Sequence, residues 1–210
     1  MSNDSSTSAT TTTTSRRTFL ATLGAGIAAT SCANMPGGAS WTTLVDGPTM
    51  TNLNGFTELG AGGWTIEGGV LQGKGGKLGY LVTKDSYTDF EIRAEFWADE
   101  DCNSGLFMRC QDRSKVEAAN SYEVNIFDKR PDPTYGTGAI VDVAKVAQPM
   151  PKAANRWNTY EVTARGDRMV VVLNGQQTVD TRDAKFKSGP LALQSAGGII
   201  RFRKVLIRAI

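Results

Sequence analysis

The clearest pattern in the chain is Phe90-Glu91-Ile92-Arg93-Ala94-Glu95-Phe96-Trp97. Phe90, Ile92, Ala94 and Phe96 fall on one side; Glu91, Arg93, Glu95 and Trp97 fall on the other. A strand sends successive side chains to opposite faces, so the spacing predicts a strand with one core face. Ser121–Asp128 alternates the same way, with Tyr122, Val124 and Ile126 opposite Glu123, Asn125 and Phe127. Just upstream, Gly105–Cys110 is a further strand candidate in which Phe107 and Arg109 share a face.

The rest of the chain from Trp41 onward repeats this theme. Trp64–Glu67 and Val70–Gln72 flank Gly68-Gly69, a two-residue hairpin signal. Arg156–Arg165 and Arg168–Leu173 bracket Gly166-Asp167, and Asn174-Gly175 leads into Gln176–Asp180. Tyr80–Thr83, Leu191–Gln194 and Ile200–Ile207 are short apolar strands. No long helical periodicity is present. Short strands with turns this close together predict a two-sheet antiparallel β-sandwich or a barrel. The expected core includes Ile92, Phe96, Val124, Ile126, Leu173 and Phe202. Two longer connections, Gln111–Asn120 and Lys129–Asn155, flank the Ser121–Asp128 strand. The second carries Pro131, Pro133, Pro149 and Pro151, which stiffen it and suit it to a pocket rim.

The N-terminus differs. Residues 1–15 are rich in Ser and Thr and lack periodicity, as disordered segments do. Arg16-Arg17-Thr18-Phe19-Leu20 and the small-residue run behind it match a twin-arginine export signal, too short to span a bilayer. Two endings are open: lipidation at Cys32, in a lipobox-like Ala29-Thr30-Ser31-Cys32, or cleavage after Ala33. The chain therefore divides into a leader region, 1–40, and one domain, 41–210. The expected location is the periplasm, free or as a lipoprotein anchored in the outer membrane. Oligomeric state is not legible.

Composition then narrows the chemistry. Forty per cent hydrophobic residues and 23 glycines suit a soluble, turn-rich β protein. A net charge of +2 gives no electrostatic footprint for nucleic acid. The chain has no histidine. That excludes a Ser-His-Asp triad, a Cys-His pair and a histidine-ligated zinc site. Proton transfer falls to Asp, Glu, Lys, Tyr or water. Export permits a disulfide, but an extended stretch between Cys102 and Cys110 holds their Cα atoms farther apart than the ~7 Å a disulfide tolerates. The expectation is a buried free thiol at Cys110 and a loop position for Cys102.

If the two central strands pair, Arg109 lies near Glu123 and Asn125. An arginine, a carboxylate, an amide and aromatic rings on one sheet face suit a sugar ring. A salt-bridged, solvated sheet face accounts for the same pattern.

Several stretches, taken in order, resemble the 3-keto-disaccharide hydrolase family. They include Gly63–Leu71, Asp89–Phe96, Asn103–Arg109, Tyr122-Glu123-Val124, Arg156–Glu161, Leu173-Asn174-Gly175, Gly189–Gln194 and Arg201-Phe202-Arg203. The resemblance implies a jelly-roll sandwich like those of laminarinases and concanavalin-type lectins. It also implies action on sugars oxidised to a ketone at C3. Many members carry an acidic residue and a histidine after the Leu-Gln near the C-terminus, where this chain has Ser195-Ala196-Gly197.

Two functional readings follow. In the first, the protein cleaves the glycosidic bond of a 3-keto-glycoside. A ketone at C3 acidifies the C2 proton; a base removes it, the aglycone leaves C1, and water adds. Glu123 fits the base and Arg109 the group that stabilises the enolate. An oxygen-ligated divalent cation fits the same step, with Asp128 and Glu123 as ligands, though no metal-ligand spacing compels one. In the second, the domain binds carbohydrate without cleaving it. Trp97, Phe107 and Tyr135 would then stack on sugar faces, with Arg109, Asn125 and Gln194 hydrogen-bonding.

Overall fold

The computed structural model describes residues 39–74 and 76–210. The twin arginines and Cys32 lie outside the described residues. In chain order the strands are β1 (Thr42–Asp46), β2 (Phe56–Gly60), β3 (Trp64–Glu67), β4 (Val70–Lys74), β5 (Gly79–Thr83), β6 (Phe90–Ala98) and β7 (Ser104–Met108). There follow β8 (Tyr122–Ile126), β9 (Trp157–Arg165), β10 (Arg168–Leu173), β11 (Gln176–Arg182), β12 (Ala192–Ser195) and β13 (Ile199–Ala209). The only helical turns among the described residues are two short 3-10 segments, Ala118–Asn120 and Pro133–Tyr135.

The strands build two antiparallel sheets. The larger runs β11-β10-β9-β6-β13-β4-β3. Strand β13 is long enough to hold β4 against its first half and β1 against its second. The smaller runs β2-β5-β12-β7-β8. This is the two-sheet sandwich that the alternation predicts. Strands β1 and β2 do not stand out in the sequence pattern; each is short and carries a single buried residue, Val45 and Phe56 respectively.

Each sheet turns one face inward. Phe90, Ile92, Ala94 and Phe96 of β6 meet Leu106, Met108, Tyr122, Val124 and Ile126 in one apolar cluster. All six expected core residues belong to it. Phe96 and Tyr160 stack with ring centroids 5.0 Å apart. The Tyr160 hydroxyl then donates to the Asn125 carbonyl at 2.6 Å, tying the larger sheet to β8.

The turns follow their residues. Asn174 and Gly175 both have positive φ, 52° and 80°, as a tight two-residue hairpin between β10 and β11 demands. Cys102 and Cys110 are both free and buried.

Candidate functional site

The outward face of the smaller sheet carries the candidate site. One register row crosses all five of its strands. Leu59 of β2 pairs with Tyr80 of β5, and Tyr80 with Gln194 of β12. Ala192 pairs with Phe107 and Leu193 with Leu106, so one step further puts Gln194 beside Gly105 of β7. Gly105 in turn pairs with Asn125 of β8. The next row runs Val82, Ala192, Phe107 and Glu123.

Gly105 makes the site possible. It has no side chain, and Glu123 leans from the neighbouring row into the space it leaves. A Cβ at residue 105 would stand 3.1 Å from Glu123 Cγ and 3.2 Å from Glu123 Oε1. Glycine inside a strand often marks such a close approach. The polar row and the carboxylate therefore converge over one bare patch of backbone.

These groups are buried and under-partnered. Glu123 is 7% exposed, and its carboxylate makes no hydrogen bond among the described residues. Burial pushes its pKa up to about 7; the positive charge of Arg130 opposes this and Asp142 adds to it. Three buried side-chain polar atoms among the described residues lack a partner, and two lie in this row: Gln194 Oε1 and Asn125 Oδ1. The third is Trp64 Nε1. Such groups normally find partners, and leaving one unpaired costs about 1–3 kcal/mol. The amide nitrogens are held: Gln194 Nε2 donates to Tyr80 Oη at 3.4 Å, and Asn125 Nδ2 to the Tyr135 carbonyl at 2.7 Å. Both free oxygens are enclosed: Asn125 is 0% exposed and Gln194 7%, so only the Gln194 end of the row lies near solvent.

Loops frame the face. Segment 137–141 extends along the outer edge of β8, where Asn125 N–H donates to the Ala139 carbonyl and Val141 N–H to the Glu123 carbonyl. The long Lys129–Asn155 connection is therefore a rim beside Glu123. On the other side, Val116 packs over Tyr80, Val82, Phe107 and Ala192.

Several expected site residues stand elsewhere. Arg109 is not beside Glu123. Strand β7 ends at Met108, and Arg109 takes φ 53°, which swings its side chain out of the alternation. It is 1% exposed and donates to the carbonyls of Thr88, Gly166 and Phe186 and to Asp89 Oδ1. Its guanidinium lies 5.9 Å from the centre of the Phe90 ring. It clasps the end of the sandwich. Trp97 projects from the larger sheet, with the Arg201 guanidinium 4.5 Å from its ring centre. Phe107 lies on the site face but is covered, 1% exposed and edge-on to Tyr80. The Tyr135 ring packs on Ala139, Val146 and Met150, so only its carbonyl reaches the row. Asp128 is spent as a staple, accepting from Thr137 Oγ1 and from the N–H groups of Ala153 and Ala154. It is not placed as a metal ligand, and no group of three or more His, Cys, Asp or Glu side chains suited to a metal occurs among the described residues.

Tyr80, Gly105, Arg130 and Asp142 were not anticipated. Gly105, a glycine inside a strand pattern, was the one visible signal among them.

The model of the 3-keto-alpha-glucoside-1,2-lyase-like domain matches residues 40–208. The chain belongs to this family. No curated protein matches it. Among solved structures, two provisionally named glycosyl hydrolases of Parabacteroides distasonis ATCC 8503 share its fold. One is 23% identical with a TM-score of 0.67, over 81% of this chain and 100% of the other. The second is 18% identical with a TM-score of 0.70, over 81% and 94%. A carbohydrate-binding module, CBM66 of Bacillus subtilis, is 18% identical with a TM-score of 0.54, over 82% and 98%. The sandwich of this lyase-like domain is thus shared by proteins named for cleaving sugars and for binding them. In this chain, Ser195 Oγ donates to the Gly62 carbonyl.

Proposed function

We propose that the protein cleaves the glycosidic bond of 3-keto-glycosides, with Glu123 as the base. The observation that carries this is the carboxylate of a residue only 7% exposed, without a hydrogen-bond partner among the described residues and with oxygens that still reach solvent, beside two unpaired amide oxygens. A small shift of the Gln194 side chain brings its oxygen to a sugar hydroxyl over Gly105, while Asn125, 0% exposed, braces the Tyr135 segment beneath. Glu123, with its pKa near 7, is poised to exchange a proton near neutral pH. It takes the C2 proton, which the C3 ketone has acidified. The electron pair forms the C1–C2 double bond, and the C1–O bond breaks toward the aglycone oxygen. Water then adds its hydroxyl to C1 and gives its proton to the aglycone oxygen, while the C2 proton returns from Glu123. Arg109 plays no part, because its donors are all turned into the fold.

The same row suits plain carbohydrate binding. The absence of any histidine favours that second reading, since it leaves fewer proton carriers beside the sugar. Turnover of 3-keto-trehalose by wild type and Glu123→Gln decides between them. Loss of turnover with retained binding in the variant supports the enzyme; sugar binding by a wild type that turns over no 3-keto-glycoside supports the binder.

The leader is proposed to export the protein through the twin-arginine route, with Cys32 as its lipid anchor. Arg16→Lys with Arg17→Lys should leave the protein in the cytoplasm. Cys32→Ser should release a membrane-bound form into the soluble fraction; a wild type already soluble would point to cleavage after Ala33.

A further inference from the structure

The row does not end at Gln194. Beyond Tyr80 it opens into a surface groove walled by Leu59, Leu78, Tyr80 and Val116, with Ser114 and Lys115 at its lip. Leu78 is 53% exposed, one of three large hydrophobic residues so placed among those described. Adjacent strands stand about 4.8 Å apart, so Tyr80 lies two strand spacings, roughly 10 Å, from Gly105. That leaves room for one sugar ring over Gly105 before its C1 substituent reaches the groove.

The groove is poorly suited to a second sugar. A sugar needs hydrogen-bond partners around its edge, and the polar groups here are engaged. Ser114 Oγ donates to Asp112 Oδ1 at 2.6 Å. Lys115 Nζ pairs with Glu117 at 3.1 Å. The Tyr80 hydroxyl meets Gln194, and its ring is braced edge-on against Phe107 at 5.3 Å. What remains free is apolar wall, chiefly the exposed Leu78 and the half-buried Leu59, with the edges of the buried Tyr80 and Val116 between them.

The chemistry of departure points the same way. The chain has no histidine to protonate a leaving group. A phenol loses its proton near pH 10, whereas water, as a guide to alcohols, needs about pH 16. A phenolate therefore leaves C1 with far less proton assistance than a sugar alkoxide.

We infer that the groove at Leu59, Leu78, Tyr80 and Val116 is an aglycone subsite for an aromatic ring, and that the substrates are aryl 3-keto-glycosides. The inference rests on the lyase reading of Glu123. The reaction balances: the C2 proton passes to Glu123 and returns to C2 on hydration, the C1–O pair leaves with the phenolate, and water supplies the hydroxyl added at C1 and the proton the phenolate takes up. The products are the free 3-keto sugar and a phenol.

The test compares phenyl and methyl 3-keto-glucosides and 3-keto-trehalose as substrates of the full chain. Wild type should prefer the phenyl glycoside. Leu78→Glu, at an exposed position that tolerates charge, should raise the KM for the phenyl glycoside about tenfold and lower the phenyl-to-methyl ratio of kcat/KM by a similar factor. Val116→Asp provides a second variant on the opposite wall. Turnover of 3-keto-trehalose with no phenyl preference, or an unchanged phenyl KM in both variants, overturns the subsite and leaves the lyase reading standing. Absence of turnover on all three, with calorimetric binding of the phenyl glycoside that Leu78→Glu weakens, supports the subsite and overturns the lyase reading instead.

Discussion

The carboxylate of Glu123 fills the space that a side chain at Gly105 would occupy. A methyl group at residue 105 would press on Glu123 Cγ and Oε1 at 3.1 and 3.2 Å, and on the Val124 carbonyl at 3.2 Å. Gly105→Ala should therefore fold and yet move the base. A displacement of about 1 Å can cost as much as ~10²-fold in rate. Thermal melting should show a shift of only a few degrees, while kcat on 3-keto-trehalose falls at least tenfold. A variant with wild-type kinetics would mean that Glu123 need not stand there.

Glu123 also predicts a pH dependence with a definite sign. Its folded-state pKa is raised to about 7 by burial. The unfolded chain releases this proton near pH ~4.3. Between these values the folded state holds more protons, so stability falls as pH rises. The contribution is intact below about pH 4.3 and fully lost above about pH 7, a difference on the order of 3 kcal/mol. Glu123→Gln removes it. Urea unfolding at pH 4.5 and pH 8 should show the variant gaining on wild type at the higher pH. In the wild type, kcat/KM should rise with pH through about 7, as the base ionises.

The unpaired oxygen of Gln194 sets stability against function. Its Oε1 is buried without a partner. Gln194→Met keeps the volume and removes that oxygen, so the free protein should gain about 1 kcal/mol. Ligand binding should weaken by tenfold or more, because a sugar hydroxyl loses its acceptor. Denaturation and calorimetry on the same sample check both. A variant that loses stability would show that the oxygen is satisfied in solution.

Arg109 is expected to matter for folding alone. It holds three carbonyls and Asp89 inside the fold. Arg109→Met leaves the Phe186 carbonyl buried and unanswered and strips the part-buried Thr88 and Gly166 carbonyls and Asp89 of a donor, at a cost of about 1–3 kcal/mol. The urea midpoint should drop sharply, while the KM of the protein that remains folded stays near wild type. A selective rise in KM would return Arg109 to the site.

Much of this molecule is written in its alternation. The strands from Trp64 onward, the six core residues, the hairpin turns and the free thiols follow from spacing and residue type, because a pleated strand obliges neighbours in sequence to face opposite ways. The same rule put Glu123, Asn125, Gln194 and Phe107 on one polar face. It failed for Arg109, since one residue at positive φ breaks the alternation and no local pattern marks that break. It could not tell that Trp97 belongs to the other sheet, that Phe107 is roofed by Val116, or that Asp128 is spent on loop N–H groups. Nor could it show Tyr80 and Gly105 completing the row. Sequence period fixes which side of a strand a residue occupies; which strands lie side by side, and in what register, is settled by packing between segments distant along the chain. The site is a property of that register.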